Sequence, residues 1–126
     1  MVIYLIEDDS VYAKFIQKTL GRNAAYKITW FSSAEACLPV AQKTVPDVMI
    51  IDYKLPGMSG LELYQALLPQ LKEENKCIVM SSIDDGNMVL SFIKQGVRDY
   101  VIKDQNVIDS LVAILEGNED EYYLFN

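Results

Sequence analysis

At 126 residues, 51% hydrophobic and 23% charged, the chain fits one domain able to bury a core, and no apolar run reaches the roughly 18–20 residues of a membrane span. Its net charge of −7, from 18 acidic and 11 basic residues with no basic stripe, argues against direct contact with nucleic acid. It has no histidine, which removes Ser-His-Asp and Cys-His nucleophile pairs and most zinc sites, and Cys37 and Cys77 form neither a metal-ligand spacing nor a disulfide framework.

Short apolar runs alternate with segments of helical period five times. Val2–Ile6, continuous and apolar, fits a parallel strand buried on both faces. No basic lead precedes it, so a secretory signal is not expected, and a reducing cytoplasmic setting is the simplest reading. Asp9 and Ser10 suit the N-cap of a first helix, with Val11, Phe15, Ile16 and Leu20 expected inside and Gly21 as its stop. Residues 26–31 read as the second strand. Ser32 and Glu35 then form a capping-box pattern for a second helix, its inner face taking Ala34, Cys37, Leu38 and Ala41. Pro39 predicts a kink or an irregular first half there.

Residues 48–51 form the most hydrophobic candidate strand, followed by a Pro-Gly loop and a third helix over 61–68 that ends near Pro69. A fourth strand is expected at 77–80. The helix after it should span 85–95, with Val89, Phe92 and Ile93 inward and Gly96 closing it. Residues 100–102 read as the fifth strand. Val107, Leu111, Ile114 and Leu115 mark a fifth helix. Such alternation through short connections implies one parallel sheet covered on both faces, an α/β doubly wound architecture. The two cysteines are read as packing residues.

In sheets of this kind ligands bind beyond the carboxyl ends of the strands. Glu7, Asp8 and Asp9 follow the first strand, Asp52 the third, Ser81 and Ser82 the fourth, and Lys103 the fifth. Carboxylates about 4 Å apart repel by roughly 4 kcal/mol per pair at an effective dielectric near 20, a cost that a cation must offset. Oxygen ligands with open positions suit Mg²⁺. A cation here would let the Asp52 carboxylate attack phosphorus, with Lys103 adding positive charge and Ser81 a hydrogen-bond donor. A phosphoryl group on Asp52 would make the site more negative, enough to drive a local rearrangement.

Glu7-Asp8, Asp52 within IIDYKLPGMSG, Ser81, and Tyr100 to Lys103 together form a pattern that resembles the receiver domain of bacterial response regulators of two-component signal transduction. The likeness covers about residues 1–115 and rests on the ordered set with its separations: 44 residues from Asp8 to Asp52, 29 on to Ser81, and 51 from Asp52 to Lys103. It implies a flavodoxin-like receiver fold, five parallel strands in the order 2-1-3-4-5 with five helices. It implies that Asp52 is the phosphoacceptor, that Asp8 binds Mg²⁺ directly and Glu7 through water, and that the Lys54 backbone carbonyl completes the protein ligands. Ser81 and Lys103 would hold the phosphoryl group. Tyr100 would be an aromatic switch following Ser81, and the surface of helix four, strand five and helix five would change.

The implied partners are a histidine kinase or phosphotransfer protein as donor, and an output domain or separate protein downstream. A phosphorylation-dependent homodimer is a further implied assembly. The chain would be a phosphoacceptor that assists its own phosphorylation and dephosphorylation, not an enzyme in the usual sense. Residues 116–126, acidic and then aromatic through Tyr122, Tyr123, Leu124 and Phe125, form a tail or linker remnant.

Two positions depart from the family pattern: Asp104 stands where proline often follows the lysine, and Ser82 where alanine is common. Three rival functions would fit parts of this pattern. A mononucleotide binder would want a glycine-rich loop where Glu7-Asp8-Asp9 stand. A phosphatase with an aspartyl nucleophile would want a second acid where Lys54 stands. A pseudo-receiver, controlled without phosphorylation, would keep the fold, and only a phosphorylation test separates it.

Overall fold

Each strand is followed by a helix that carries the chain back to the starting edge of the sheet, so successive strands pair in parallel. A computed structural model describes residues 1–82 and 86–117. Within them the order is β1 (Val2–Ile6), α1 (Ser10–Leu20), β2 (Lys27–Phe31), α2 (Ala34–Lys43), β3 (Val48–Asp52), α3 (Gly60–Leu67), a 3₁₀ turn (Leu68–Gln70), β4 (Lys76–Ser81), α4 (Gly86–Lys94), β5 (Asp99–Ile102) and α5 (Val107–Leu115). The strands lie in the order β2-β1-β3-β4-β5, the doubly wound arrangement expected from the sequence. None of these helices is long and apolar enough to cross a membrane.

The period-two alternation of a strand sends neighbouring side chains to opposite faces, and both faces are covered. On one, Ile3, Leu5, Ile50, Ile78 and Met80 pack under α1 and α5 with Ala13, Ile16, Leu20, Leu111 and Ile114. On the other, Tyr4, Ile6, Met49, Ile51 and Val79 pack under α2, α3 and α4 with Cys37, Ala41, Leu63, Leu67 and Phe92. The all-buried β3 explains its unbroken apolar run.

Three expectations about the helices need correction. In α1 the buried residues are Ala13, Ile16 and Leu20, whereas Val11 is 77% exposed and Phe15 46%. The Asp9 carboxylate accepts the Val11 and Tyr12 N–H groups at 3.0 and 3.1 Å, which sets the phase of the helix. That phase puts the small Ala13 against the sheet. Helix α2 is capped by Ser33, whose hydroxyl accepts from Ala36 N at 3.1 Å, one residue after the expected Ser32. It continues through the exposed Pro39 to Lys43, the missing N–H costing one intrahelical bond. In α4, Val89 and Phe92 are buried and Ile93 is 45% exposed. Gly96, at φ +106°, closes that helix in a conformation only glycine adopts easily. The expected start of this helix at Asp85 and the aromatic tail fall outside the described residues.

Helix α3 begins against β3. The Ser59 hydroxyl accepts from Glu62 N and the Glu62 carboxylate accepts from Ser59 N, a reciprocal cap. Gly60 is thereby pressed into a narrow gap: a Cβ there would stand 2.6 Å from Ile51 Cγ2, 3.2 Å from the Asp52 carbonyl oxygen and 3.4 Å from Phe92 Cζ.

Candidate functional site

Glu7 follows directly on β1. Its N–H donates to the Phe31 carbonyl at 3.0 Å, and its own carbonyl accepts from Trp30 Nε1 at 2.7 Å, so backbone and edge strand fix its place. By strand alternation it shares a face with Ile3 and Leu5, Asp52 shares that face with Ile50, and Lys103 shares it with Val101. Three strands thus deliver two acids and an amine to one side of the sheet end.

There they meet. Glu7 is fully buried, and its Oε1 accepts from Lys103 Nζ at 2.5 Å while Oε2 accepts from Asp9 N at 3.2 Å. The same ammonium lies 3.3 Å from Asp52 Oδ2, and the Lys54 N–H donates to Asp52 Oδ1 at 3.3 Å. Lys103 Nζ also stands 4.6 Å from the centre of the Tyr12 ring. Burial pushes the Glu7 carboxyl up to about 7, with Asp52 adding to the rise and Lys103 opposing it. Burial alone would lower Lys103, but its hydrogen bond to Glu7 and the field of Asp52 outweigh that and hold the ammonium above its ordinary value. Tyr12 is pushed up to about 12, first by burial and then by Glu7, Asp104 and Asp52.

Glu7, Asp8 and Asp52 each place a carboxylate oxygen within 4.8 Å of the others. Asp8 is exposed, and the group opens into a cleft of about 330 Å³ lined also by Asp9, Tyr53, Lys54, Ser82 and Lys103. Hard oxygen donors with one open side fit Mg²⁺, which keeps part of its water shell. A larger cleft of about 760 Å³ lies at the opposite end of the strands, between Tyr64, Leu71, Lys76 and Val97, and gathers none of the predicted site residues.

The remaining predicted residues fall on the other face. Ser81 ends β4 and is 1% exposed; its carbonyl accepts from Lys103 N at 2.9 Å, but the cleft is lined by Ser82 in its place. Tyr100 pairs in register with Val79 and is 41% exposed, away from the cleft lining. Glu7, Asp8, Asp52, Lys54 and Lys103 therefore come together, while Ser81 adjoins them through the backbone and Tyr100 stands apart. Sequence reasoning passed over two contributors, Trp30 and Tyr12. The signal for Tyr12 was its position three residues after the capping Asp9, in the first turn of the helix that borders the acids.

Residues 3–116 match the family model described as the response regulator receiver domain. The DNA-binding transcriptional regulator NtrC of Escherichia coli K12 is 32% identical over 124 residues, covering 96% of this chain and 25% of that protein. The response regulator protein TmoT of Ectopseudomonas mendocina is 33% identical over 113 residues, covering 90% of this chain and 50% of that protein. The chain thus spans a quarter to a half of the length of these relatives. Among solved structures, the receiver domain of the putative response regulator NarL from Mycobacterium tuberculosis superposes with a TM-score of 0.79 at 20% identity, covering 94% of this chain and 95% of that one. The N-terminal domain of an uncharacterised protein from Wolinella succinogenes does so at 0.81 and 19% identity, covering 100% and 99%. At such identities these two speak for the fold alone.

Proposed function

The chain belongs to the response regulator receiver domain family, and from that premise we propose that it takes a phosphoryl group from a histidine kinase or phosphotransfer protein onto Asp52. The observation that carries this reading is the convergence of Glu7, Asp8, Asp52 and Lys103 at one end of the sheet, around a cleft open to solvent. With no histidine among these 126 residues, a phosphohistidine donor must lie outside this domain.

Asp8 and Asp52 would bind Mg²⁺ directly, Glu7 would bind it through water, and the Lys54 carbonyl would complete the protein ligands. When bound, the ion would offset the repulsion between these acids and an incoming phosphoryl group. An Asp52 carboxylate oxygen attacks phosphorus as the P–N bond to the donor imidazole breaks. The electron pair of that bond returns to the ring nitrogen, which takes a proton from solvent as it leaves. Lys103, already 3.3 Å from Asp52, neutralises a phosphoryl oxygen, and Ser81 would donate to another after turning toward the cleft.

The added charge draws Ser81 and Lys103, adjoining through the backbone bond at 2.9 Å, toward Asp52. Tyr100, 41% exposed on β5, would turn with Ser81, and the α4–β5–α5 surface would pass the change to an output domain, a separate protein or a second copy. Residues 1–115 act in this reading as a phosphoacceptor domain that assists its own phosphorylation and dephosphorylation, in the cytoplasm, and 116–126 as its tail. The test is ³¹P NMR or a Phos-tag gel after mixing with acetyl phosphate and Mg²⁺. A phosphorylated species that vanishes in Asp52→Asn is expected; none under any donor or metal would overturn the reading in favour of a pseudo-receiver.

A further inference from the structure

The Lys103 ammonium has three close neighbours: Glu7 at 2.5 Å, Asp52 at 3.3 Å and the Tyr12 ring at 4.6 Å. The two carboxylates are fixed by the strands they end. The lysine is not, because its four-carbon stem is flexible and its charge is a point that any nearby oxygen attracts, the exposed Asp8 included. A ring face attracts the ammonium without offering such an oxygen, and so adds a hold on it that does not compete with the acids.

Tyr12 is itself well held. Its N–H is bound by the Asp9 carboxylate at 3.1 Å, its ring meets that of Phe15 at 5.9 Å, and it packs against the core beneath α1 and α5. Its hydroxyl is buried and has no hydrogen-bond partner among the described residues. A buried hydroxyl without a partner costs free energy, so what this side chain contributes comes from its ring.

We propose that Tyr12 is a positioning residue for Lys103, its ring holding the ammonium between Glu7 and Asp52 where a phosphoryl oxygen on Asp52 would arrive. The contact stands on geometry; its consequence for phosphorylation rests on the reading of Asp52 as phosphoacceptor. Two readouts separate these. In the unphosphorylated, metal-free protein, the Lys103 side-chain protons, assigned with a Lys103→Arg spectrum, should be displaced upfield of the other lysines by the ring current of Tyr12. Tyr12→Leu should abolish that displacement and slow phosphorylation by acetyl phosphate and Mg²⁺ by about fivefold, the scale of a partly desolvated cation–π contact. Tyr12→Phe, which returns the ring without the hydroxyl, should restore both.

A wild-type Lys103 with no ring-current displacement overturns the proposal, even if the leucine variant fails to fold. So does a leucine variant phosphorylated at the wild-type rate, or a phenylalanine variant as slow as leucine. A wild-type chain that shows the displacement but never takes up phosphate supports the Tyr12–Lys103 contact while overturning the phosphoacceptor reading.

Discussion

The two faces of the sheet carry different equipment at the same end. On the α1 and α5 side the strand ends present Glu7, Asp52 and Lys103, joined by ion pairs at 2.5 and 3.3 Å and backed by Tyr12. On the α4 side they present Ser81 and Tyr100, beside a helix whose Leu90 and Ile93 are 52% and 45% exposed. Charge is cross-linked on one face, and apolar surface is left open on the other. The contrast teaches that the charged cluster and the open apolar surface occupy opposite faces of the sheet, joined at the backbone bond from Lys103 N to the Ser81 carbonyl.

The largest effect expected lies on the open side. Phe92→Ala should cost about 4 kcal/mol by urea unfolding, since its ring is buried, whereas Ile93→Ala should stay within about 0.5 kcal/mol. Equal losses would mean that α4 presents another face. On the charged side, Lys103→Met in metal-free buffer should cost about 3 kcal/mol, because Glu7 is left buried without its cation. Added Mg²⁺ should recover part of it. An unchanged unfolding midpoint would break the claim that ion pairs lock this face.

Trp30→Phe should cost about 1 kcal/mol by removing the donor to the Glu7 carbonyl, with no effect on α4 reporters such as the Phe92 ring resonances in NMR spectra. The smallest effect at neutral pH comes from Cys37 and Cys77, both in the core under α2, α3 and α4, where burial pushes each thiol up to about 12. A thiol raised above its unfolded value of about 8.5 favours the folded state fully below that pH, and the gain is lost as pH climbs through the folded value. Stability should therefore be flat through pH 8 and fall in alkali, and alkylation at pH 8 should be slow until denaturant is added. Rapid alkylation of the native protein would show this face to be looser than its burial suggests.

Most of this was legible in the sequence. Short apolar runs located the five described strands, and the strand ends named the acids, Asp52 and Lys103 that the structure brings together. What was misread has a common cause. Large apolar residues were assigned inward at Val11, Phe15 and Ile93, yet a helix's phase is set by its cap and by small residues such as Ala13 that allow close approach. The same slip hid Tyr12, whose ring became visible as Lys103's neighbour only once the true inner face of α1 was known. Nor could spacing reveal that Ser81 and Tyr100 share a face opposite the acids, because that depends on where each strand's alternation starts.

The gap at Gly60 works as a machinist's clearance, since the Ile51 methyl leaves room there for a hydrogen atom and little else, with the Asp52 carbonyl and the Phe92 ring next in line. Any added carbon would act as a shim between a strand end that carries charge and a helix that carries open surface. Anyone grafting a foreign third helix into this scaffold would have to transplant that empty spot along with it, or the two halves would be set permanently ajar.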